Sequence, residues 1–381
     1  MDNQFTVSQP DLSSAPGKKR NYGVETLRIV SMFLVCVLHV LGQGGVLGAA
    51  VSQSVNYYTA WFLEITAYCA VNCYALISGY VGVNSKFKLA NVVALWIQVL
   101  FYSLLIFAVF TVAKIEPFSG ETLLHSFLPV TFEEYWFFTA YFGMYLLVPL
   151  LNAALAHIPK KQMGFLLTII LAIVFIFTRF NGDLFQLNQG YSVLWLVIMY
   201  LAGGYIKKYQ PFRKWKTWAL VLSWVGAIVL TWVVKLAMEQ IALGMGAEPD
   251  GNVLVGYTSP TVTIVAVAML ELFSRIPFEK KPKLLPAMAA SSFGVYLIHV
   301  HPFMWKYLKD VFVRYASYHP ALLFLAVLGT AAALYVGCCG VDYLRSLLFK
   351  AIRLKEGLTK LENKFRDKYF TPDPTEETKG S

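Results

Sequence analysis

The chain is a succession of long apolar runs separated by short polar segments. A bilayer core about 30 Å thick requires roughly 20 apolar residues in a helix. Ten runs approach that length, and none shows the apolar–polar alternation of a membrane strand. The pattern therefore predicts an all-α protein, a polytopic transmembrane bundle of about ten helices. The predicted spans are residues 24–46, 58–82, 90–113, 134–155, 163–179, 191–206, 217–237, 257–273, 288–306 and 321–345.

Basic residues alternate in number from one side of these spans to the other. With ten spans, 26 of the 32 Lys and Arg lie on the side that holds both termini, and six lie on the opposite side. An excess of Lys and Arg marks the cytoplasmic loops of membrane proteins. We therefore expect both termini to be cytoplasmic, which agrees with an even number of spans.

Polar segments precede and follow the apolar runs. We predict a disordered cytoplasmic N-terminus (1–20), a ten-helix membrane domain (21–345) and a basic amphipathic cytoplasmic tail (346–381). Leu and Phe recur in the tail at near-helical intervals, which is typical of a helix lying on an anionic leaflet. The basic head and the following apolar run also resemble a signal peptide. Cleavage would upset the alternation of charge, so we favour an uncleaved first span.

The composition agrees with a membrane protein and narrows its chemistry. Apolar residues make up 57% of the chain and charged residues 14%, against about 45–50% and about 25% in soluble domains. The net charge of +10 sorts by membrane side, so it does not indicate a nucleic-acid partner. The five cysteines lie in apolar runs without zinc-ligand spacing, and we predict no metal site.

Two ionisable residues, Arg28 and His39, lie inside the first predicted span. Their separation of eleven residues is about 20° more than three full helical turns, so they share one helix face about 16 Å apart. Arg28 would lie near the cytosol and His39 beyond the midplane. A charge at mid-membrane costs about 2.5–3.5 kcal/mol on insertion scales, so such residues are often functional. The alternatives are that Arg28 reaches lipid phosphates and that His39 only joins two helices by a hydrogen bond.

Glu64 in the second span is expected at the same depth as His39. It could orient His39 and fix its tautomer, as the acid of a catalytic triad does. Alternatively, a protonated Glu64 bonds to a backbone carbonyl. The second span ends in "ISGY", which brings Ser78, Gly79 and Tyr80 to the cytosolic mouth. Further candidates for a substrate cavity lie in the fourth and ninth spans: Tyr141, Tyr145, Asn152, Tyr296 and His299.

Four blocks in order resemble the acyltransferase-3 family of ten-span membrane acyltransferases. They are Arg28-x10-His39, "VNCYALISGY", "YWFFTAYFGMYLLVPLLN" and "SSFGVYLIHVHP", and the likeness covers residues of about 20–345. It implies transfer of an acyl group, usually acetyl, from cytosolic acyl-CoA to a hydroxyl of a cell-envelope glycan. The family pattern implies that Arg28 and His39 are the essential pair. Glu25 stands where relatives carry an acid, and Tyr74 stands where they usually carry Phe.

The resemblance and the residue pattern together give an expected mechanism. Acetyl-CoA would be a co-substrate held at the cytosolic mouth by Arg28, Ser78, Gly79 and Tyr80, with no permanently bound cofactor. His39 would act as general base or acyl carrier, assisted by Glu64. The expected partners are acyl-CoA, a glycan or glycolipid acceptor and the lipid bilayer of a bacterial cytoplasmic membrane, while a homo-oligomer is left open. The main alternative is a transporter or flippase without acyl chemistry, and a further one is an inactive assembly or sensor subunit.

Overall fold

A computed structural model describes residues 20–181, 183–248, 251–280 and 282–369. Throughout these ranges the regular structure is helical and contains no strand, as the sequence predicts. The predicted disordered head, apart from Arg20, and the end of the tail lie outside them. The α-helices are α1 (Tyr22–Leu41), α2 (Val46–Ala49), α3 (Val55–Ala67), α4 (Ala70–Gly82), α5 (Leu89–Val112), α6 (Gly120–Phe127), α7 (Trp136–His157), α8 (Lys160–Asn181), α9 (Val193–Tyr209), α10 (Thr217–Gly244), α11 (Pro260–Ser274), α12 (Leu285–His299), α13 (Pro302–Leu308), α14 (Pro320–Ala351) and α15 (Leu354–Tyr369).

Seven helical segments in the described ranges are long and apolar enough to cross a membrane, which confirms a multi-pass membrane protein. The number ten stays a prediction, because α9, α11 and α12 fall on predicted spans but have only 15 to 17 residues. At 1.5 Å per residue they measure about 22–26 Å, less than the bilayer core. The seven segments are Tyr22–Ala49, Val55–Gly82, Leu89–Val112, Trp136–His157, Lys160–Phe177, Thr217–Gly244 and Pro320–Ala351.

Helix α1 occupies the centre of the bundle. It contacts α3, α4, α11, α12 and α14, and Leu27, Cys36 and Leu41 along its length are fully buried. Asn21 begins the helix, because its side-chain oxygen accepts a hydrogen bond from the backbone N–H of Val24. Arg28 and His39 therefore lie on a helix that other helices surround along most of its length.

Helices α4 and α9 approach each other closely through glycines. A Cβ atom at Gly79 would lie 1.9 Å from the carbonyl oxygen of Tyr200, and one at Gly203 would lie 2.0 Å from that of Leu76. Such distances exclude any side chain at either position unless the backbones separate. Gly79 therefore serves as a packing contact between the two helices.

The predicted second span is not one continuous helix. It is interrupted between α3 and α4 at Tyr68 and Cys69. Just beyond the break, the amide of Asn72 donates to the carbonyl of Tyr257 and accepts from the indole N–H of Trp195, both at 2.8 Å. These two bonds connect α4 to α9 and to the segment before α11.

The tail helix α15 returns to the start of α5. The carboxylate of Glu362 accepts hydrogen bonds from the backbone N–H groups of Leu89 and Ala90, at 2.8 and 3.3 Å. Lys88, at the N-cap of α5, offers no side-chain acceptor. Because the first N–H groups of a helix need outside acceptors and favour negative charge, Glu362 caps α5 and anchors the tail.

Candidate functional site

A cavity of about 380 Å³ lies beside the C-terminal half of α1. Its wall combines side chains from α1, α3, α4, α7, α12 and α13 with tyrosines from two connecting segments. Most of the wall is apolar or aromatic, as is usual for small-molecule sites. The lining residues are Met32, Val35, Leu38, His39, Gly42, Gln43, Glu64, Tyr68, Val71, Tyr74, Trp136, Phe137, Tyr191, Tyr257, Tyr296 and Trp305.

His39 forms a hydrogen-bonded chain with His299. The Nδ1 atom of His299 lies 2.6 Å from the carbonyl oxygen of Val295, and its Nε2 atom lies 2.8 Å from Nδ1 of His39. A carbonyl oxygen only accepts, so Nδ1 of His299 carries a proton, and in the neutral ring Nε2 is then an acceptor. Nδ1 of His39 must donate to it. Nε2 of His39 is left with a free lone pair at the cavity.

The local structure explains this arrangement. His39 lies in the last turn of α1, and His299 is the last residue of α12. Four residues separate His299 from Val295, so its ring can reach back to that carbonyl along the same helix face. The ring of Trp305 packs edge-on against that of His39, with a centroid distance of 4.7 Å. His39 is thus held by a hydrogen bond and by a ring contact.

The segment that carries Trp305 is attached to the end of α1. The side chain of Gln43 donates to the carbonyl of Trp305 at 2.8 Å, and the backbone N–H of Asp310 donates to the carbonyl of Gln43 at 2.9 Å. The next residue along, Lys306, pairs with Glu116 at 2.5 Å and by its hydrogen bond holds the pKa of that carboxyl below its usual range. These contacts position Trp305 over the cavity.

Glu64 lines the same cavity but does not orient His39. The sequence left two roles open for Glu64, one of which was to fix the His39 tautomer, and in the structure His299 takes that position. No described residue forms a hydrogen bond with the buried Oε2 atom of Glu64. Equal depth on adjacent helices brings the two side chains to one cavity. It does not bring them into contact, because α12 supplies a nearer partner.

Four aromatic rings stand around the same space as Glu64. The rings of Trp136 and Tyr191 have centroids 4.4 Å apart, and Tyr257 lies 4.9 Å from both Tyr191 and Tyr68. Trp136 begins α7 and Tyr68 directly follows α3, whereas Tyr191 and Tyr257 belong to connecting segments. Tyr191 and Tyr257 could not be predicted, since nothing in the sequence of a short loop shows which cavity it borders.

Of the five residues predicted to bind substrate, Tyr296 is the one that lines the cavity. Its hydroxyl accepts a hydrogen bond from the backbone N–H of Phe137 at 3.2 Å. This bond joins α12 to the first turn of α7, where backbone N–H groups lack partners within the helix. Tyr296 thereby fixes the position of one wall relative to the histidine pair.

Arg28 lies about 16 Å from His39 along α1, as eleven residues of helix require, and it does not line the cavity. Its Nη1 atom is 3.6 Å from Oε1 of Glu25, and 28% of its side chain is exposed. Glu25 also pairs with Arg20 at 2.9 Å. Tyr74 connects the two levels, because it lines the cavity and its hydroxyl donates to the carbonyl of Arg28 at 2.9 Å.

The predicted substrate residues of the fourth span, Tyr141, Tyr145 and Asn152, do not line the cavity. Ser78 donates to the carbonyl of Tyr74 at 2.8 Å, and its Oγ atom lies 3.5 Å from the hydroxyl of Tyr141. The rings of Tyr141 and Tyr145 stack with centroids 6.1 Å apart. Asn152 accepts from the hydroxyl of Tyr200 and donates to the carbonyl of Gly82.

The last two predicted donor-site residues lie elsewhere. Gly79 contacts α9, as described above. Tyr80 lies beneath Lys207, whose Nζ atom is 4.6 Å from the ring centroid. Tyr80 also borders a separate recess of about 320 Å³ together with Arg213 and Arg275. The structure thus brings His39, Glu64, Tyr296 and His299 to one cavity region and separates them from Arg28, Ser78, Gly79 and Tyr80.

No group of three or more His, Cys, Asp or Glu side chains suited to a metal ion occurs within the described ranges. The two histidine rings are joined by a hydrogen bond, and the third group of this hydrogen-bonded chain is the backbone carbonyl of Val295. The chemistry that such a chain supports is proton transfer at the cavity, between a free imidazole nitrogen and a substrate group.

A scan against protein-family models matches residues 21–338 to the acyltransferase-3 family, with the description "Acyltransferase domain". The chain belongs to this family. It is therefore a multi-pass membrane acyltransferase, and the match covers all seven long apolar segments except the end of α14. Nothing among the curated proteins and the solved structures searched matches the acyltransferase.

Proposed function

We propose that this acyltransferase moves an acyl group, acetyl by family resemblance, from cytosolic acyl-CoA to a hydroxyl of a cell-envelope glycan or related acceptor. His39 is the general base in this proposal. The observation that carries it is the chain from the Val295 carbonyl through His299 to His39. That chain supports a bare Nε2 atom on His39, which is the form that a general base needs.

The proposed reaction is a single displacement at the thioester carbonyl. Nε2 of His39 takes the proton of the acceptor hydroxyl as the oxygen attacks the carbonyl carbon. The new C–O bond forms, the C–S bond breaks, and the departing CoA thiolate takes the proton back from His39. A positioned base of this kind contributes about 10²–10⁴-fold to the rate. An acyl group carried on Nε2 itself is the alternative mechanism with the same residue.

Arg28 is proposed to hold a phosphate or the pantetheine arm of CoA near the cytosol. A guanidinium binds phosphate oxygens in a bidentate manner. The pairing of Arg28 with Glu25 is long, at 3.6 Å, so a phosphate would be the stronger partner. Arg28 and His39 would then mark two ends of a path from donor to acceptor. Because the proposed donor is cytosolic CoA and the proposed acceptor is an envelope precursor, we also propose that the protein lies in a bacterial cytoplasmic membrane.

The first prediction concerns His39. We expect His39→Ala to insert and fold normally and to lose about 10²–10⁴-fold in acyl transfer, the contribution of a general base. The measurement is transfer of label from acetyl-CoA by protein reconstituted in liposomes, together with mass spectrometry of envelope glycans in cells. His157→Ala is the matched control, because His157 is the exposed last residue of α7 and, among the described residues, its side chain bonds to the carbonyl of Ala153 alone. Wild-type transfer by His39→Ala would overturn the proposal.

A further inference from the structure

One wall of the cavity carries an acid without a counter-charge. The wall consists of Glu64, Tyr68, Trp136, Tyr191 and Tyr257, and we call it the aromatic–acidic wall. The cavity lining described above contains no lysine or arginine, and its histidine is already bonded to His299. The buried Oε2 atom of Glu64 has no hydrogen-bond partner in the described structure. Glu64 therefore offers a ligand an unsatisfied negative or hydrogen-bonding group.

A second deeply buried acid of this protein has a cation beside it. Glu239 on α10 is paired with Lys235 at 2.5 Å and accepts from the hydroxyl of Tyr57. Lys235 in turn lies 3.6 Å from the ring centroid of Trp61. At Glu239 the protein itself therefore supplies the acid, the cation and the aromatic rings. The aromatic–acidic wall has the acid and the rings, and the cation is the missing component.

The rings themselves favour a cation. The face of an aromatic ring carries partial negative charge and attracts ammonium groups. Cages of several such rings are a common means of binding quaternary ammonium ligands. Here Tyr257 is the central ring, since it lies 4.9 Å from Tyr68 and from Tyr191. An uncharged sugar would also stack on these rings, but it brings no positive charge to pair with the carboxyl group of Glu64.

We infer that the acceptor carries an ammonium group close to the hydroxyl that is acylated, as an amino alcohol, an amino sugar or a choline-type alcohol does. This inference rests on the proposed function and names the class of its acceptor. The ammonium group binds against the carboxylate of Glu64 and the ring faces of Tyr68 and Tyr257. The neighbouring hydroxyl then reaches Nε2 of His39 in the same cavity.

A matched pair of small acceptors tests the inference. Choline and 3,3-dimethyl-1-butanol have the same shape and the same hydroxyl, and they differ only in a quaternary nitrogen in place of a carbon. We expect the reconstituted protein to acylate choline with a kcat/KM at least about tenfold higher, a difference that an ion pair in a desolvated site readily gives. Equal kcat/KM values for the two alcohols would overturn the inference.

Variants of the aromatic–acidic wall test whether this wall causes the preference for choline. Glu64→Gln keeps the shape of the side chain and removes its charge, and we expect it to lower the ratio of kcat/KM for choline to kcat/KM for the neutral alcohol to about one. Glu121→Gln is the control, because Glu121 is an exposed carboxyl on α6. Tyr257→Phe should keep the preference and Tyr257→Leu should weaken it, since only the first keeps the ring face. An unchanged preference in Glu64→Gln would contradict the assignment.

A binding measurement separates this inference from the proposed function. In His39→Ala, choline should raise the thermal unfolding temperature, 3,3-dimethyl-1-butanol should not, and Glu64→Gln should remove the choline effect. If choline binds in this way but the wild type acylates neither alcohol and releases no CoA, then the proposed function fails and the ammonium site stands. If transfer to other hydroxyl compounds is found and choline neither binds nor reacts, then the ammonium site is wrong and the proposed function stands.

Discussion

His39 has its chemistry set by a residue that touches neither acyl donor nor acceptor in our proposal. Nε2 of His299 accepts a hydrogen bond from Nδ1–H of His39 at 2.8 Å, and the carbonyl of Val295 fixes the His299 tautomer by accepting from its Nδ1–H at 2.6 Å. In catalytic triads a carboxylate performs this task and also stabilises the imidazolium. Here a neutral ring and a backbone carbonyl replace the carboxylate. His299 is therefore a positioning residue in the proposed mechanism.

The second residue-scale prediction concerns His299. We expect His299→Leu to lower kcat for acyl transfer by about 10–100-fold with little change in KM, because the His39 ring loses its orientation and its tautomer. His299→Gln should restore part of that loss, since its amide oxygen can accept from Nδ1 of His39. Steady-state kinetics on both variants is the measurement. Equal rates for the Leu and Gln variants, both correctly folded, would contradict a positioning role.

The sequence identified the ionisable residues at this site but not all of their contacts. Helix geometry placed Arg28 and His39 on one face of a single helix, which needs no tertiary information. Depth in the membrane brought Glu64 to the right level, yet it could not reveal that His299, 260 residues away, lies nearer to His39. Tyr191 and Tyr257 lie in loops, where neither periodicity nor depth applies. Contacts between distant helices depend on packing that a single sequence does not show.

At the scale of helices, the α4–α9 contact determines how two walls of the bundle meet. Gly79 and Gly203 allow the backbones to touch, and small residues are common where membrane helices approach closely. Asn72, on the same helix as Gly79, holds both Trp195 of α9 and the backbone of Tyr257. Separation of α4 from α9 would therefore also displace the aromatic–acidic wall.

The element-scale prediction follows from that contact. Gly79→Ala puts a Cβ atom 1.9 Å from the Tyr200 carbonyl oxygen, and we expect a loss of about 1–3 kcal/mol in the free energy of unfolding, as in other overpacked sites. Gly226→Ala in α10 is the control. Apart from the backbone of its own helix, no atom of the described residues lies within 4 Å of its new Cβ, so Gly226→Ala should be neutral or slightly stabilising, by up to about 1 kcal/mol. Thermal unfolding in detergent compares the two, and equal unfolding temperatures would refute the close contact.

The apolar pattern predicted where helices occur but not where they stop. The second predicted span breaks at Tyr68 and Cys69, and the ninth ends at His299, before Pro302. Apolar residues continue across both breaks, so hydropathy cannot detect them. Each break lies beside the cavity and contributes a lining or hydrogen-bonding side chain to it. Irregular backbone at membrane depth is tolerated where protein surrounds it, and that shielding is a property of the folded bundle.

At the scale of the whole molecule, the short helices α9, α11 and α12 decide the topology. Each is too short by itself for a bilayer core of about 30 Å. Most of the residues of α11 and α12 are buried, so protein rather than lipid surrounds their ends and a shorter helix can suffice. The alternation of Lys and Arg predicts that Lys214 and Lys280 lie in the cytosol and that the segment around Gly246 lies outside. That alternation requires α9, α10 and α11 each to cross.

The topology prediction can be tested with single cysteines in a variant that lacks the five native ones. A membrane-impermeant maleimide added to intact cells should label Gly246→Cys and not Lys214→Cys or Lys280→Cys, and lysis should expose the latter two. If α11 does not cross, Lys280→Cys must share the reactivity of Gly246→Cys, because α11 is the one α-helix that the described part of the chain has between them. Labelling of Lys280→Cys from outside would therefore reject ten spans. It would also put α12, which carries His299, in the opposite orientation to the one that the proposed path from cytosolic donor to outer acceptor requires.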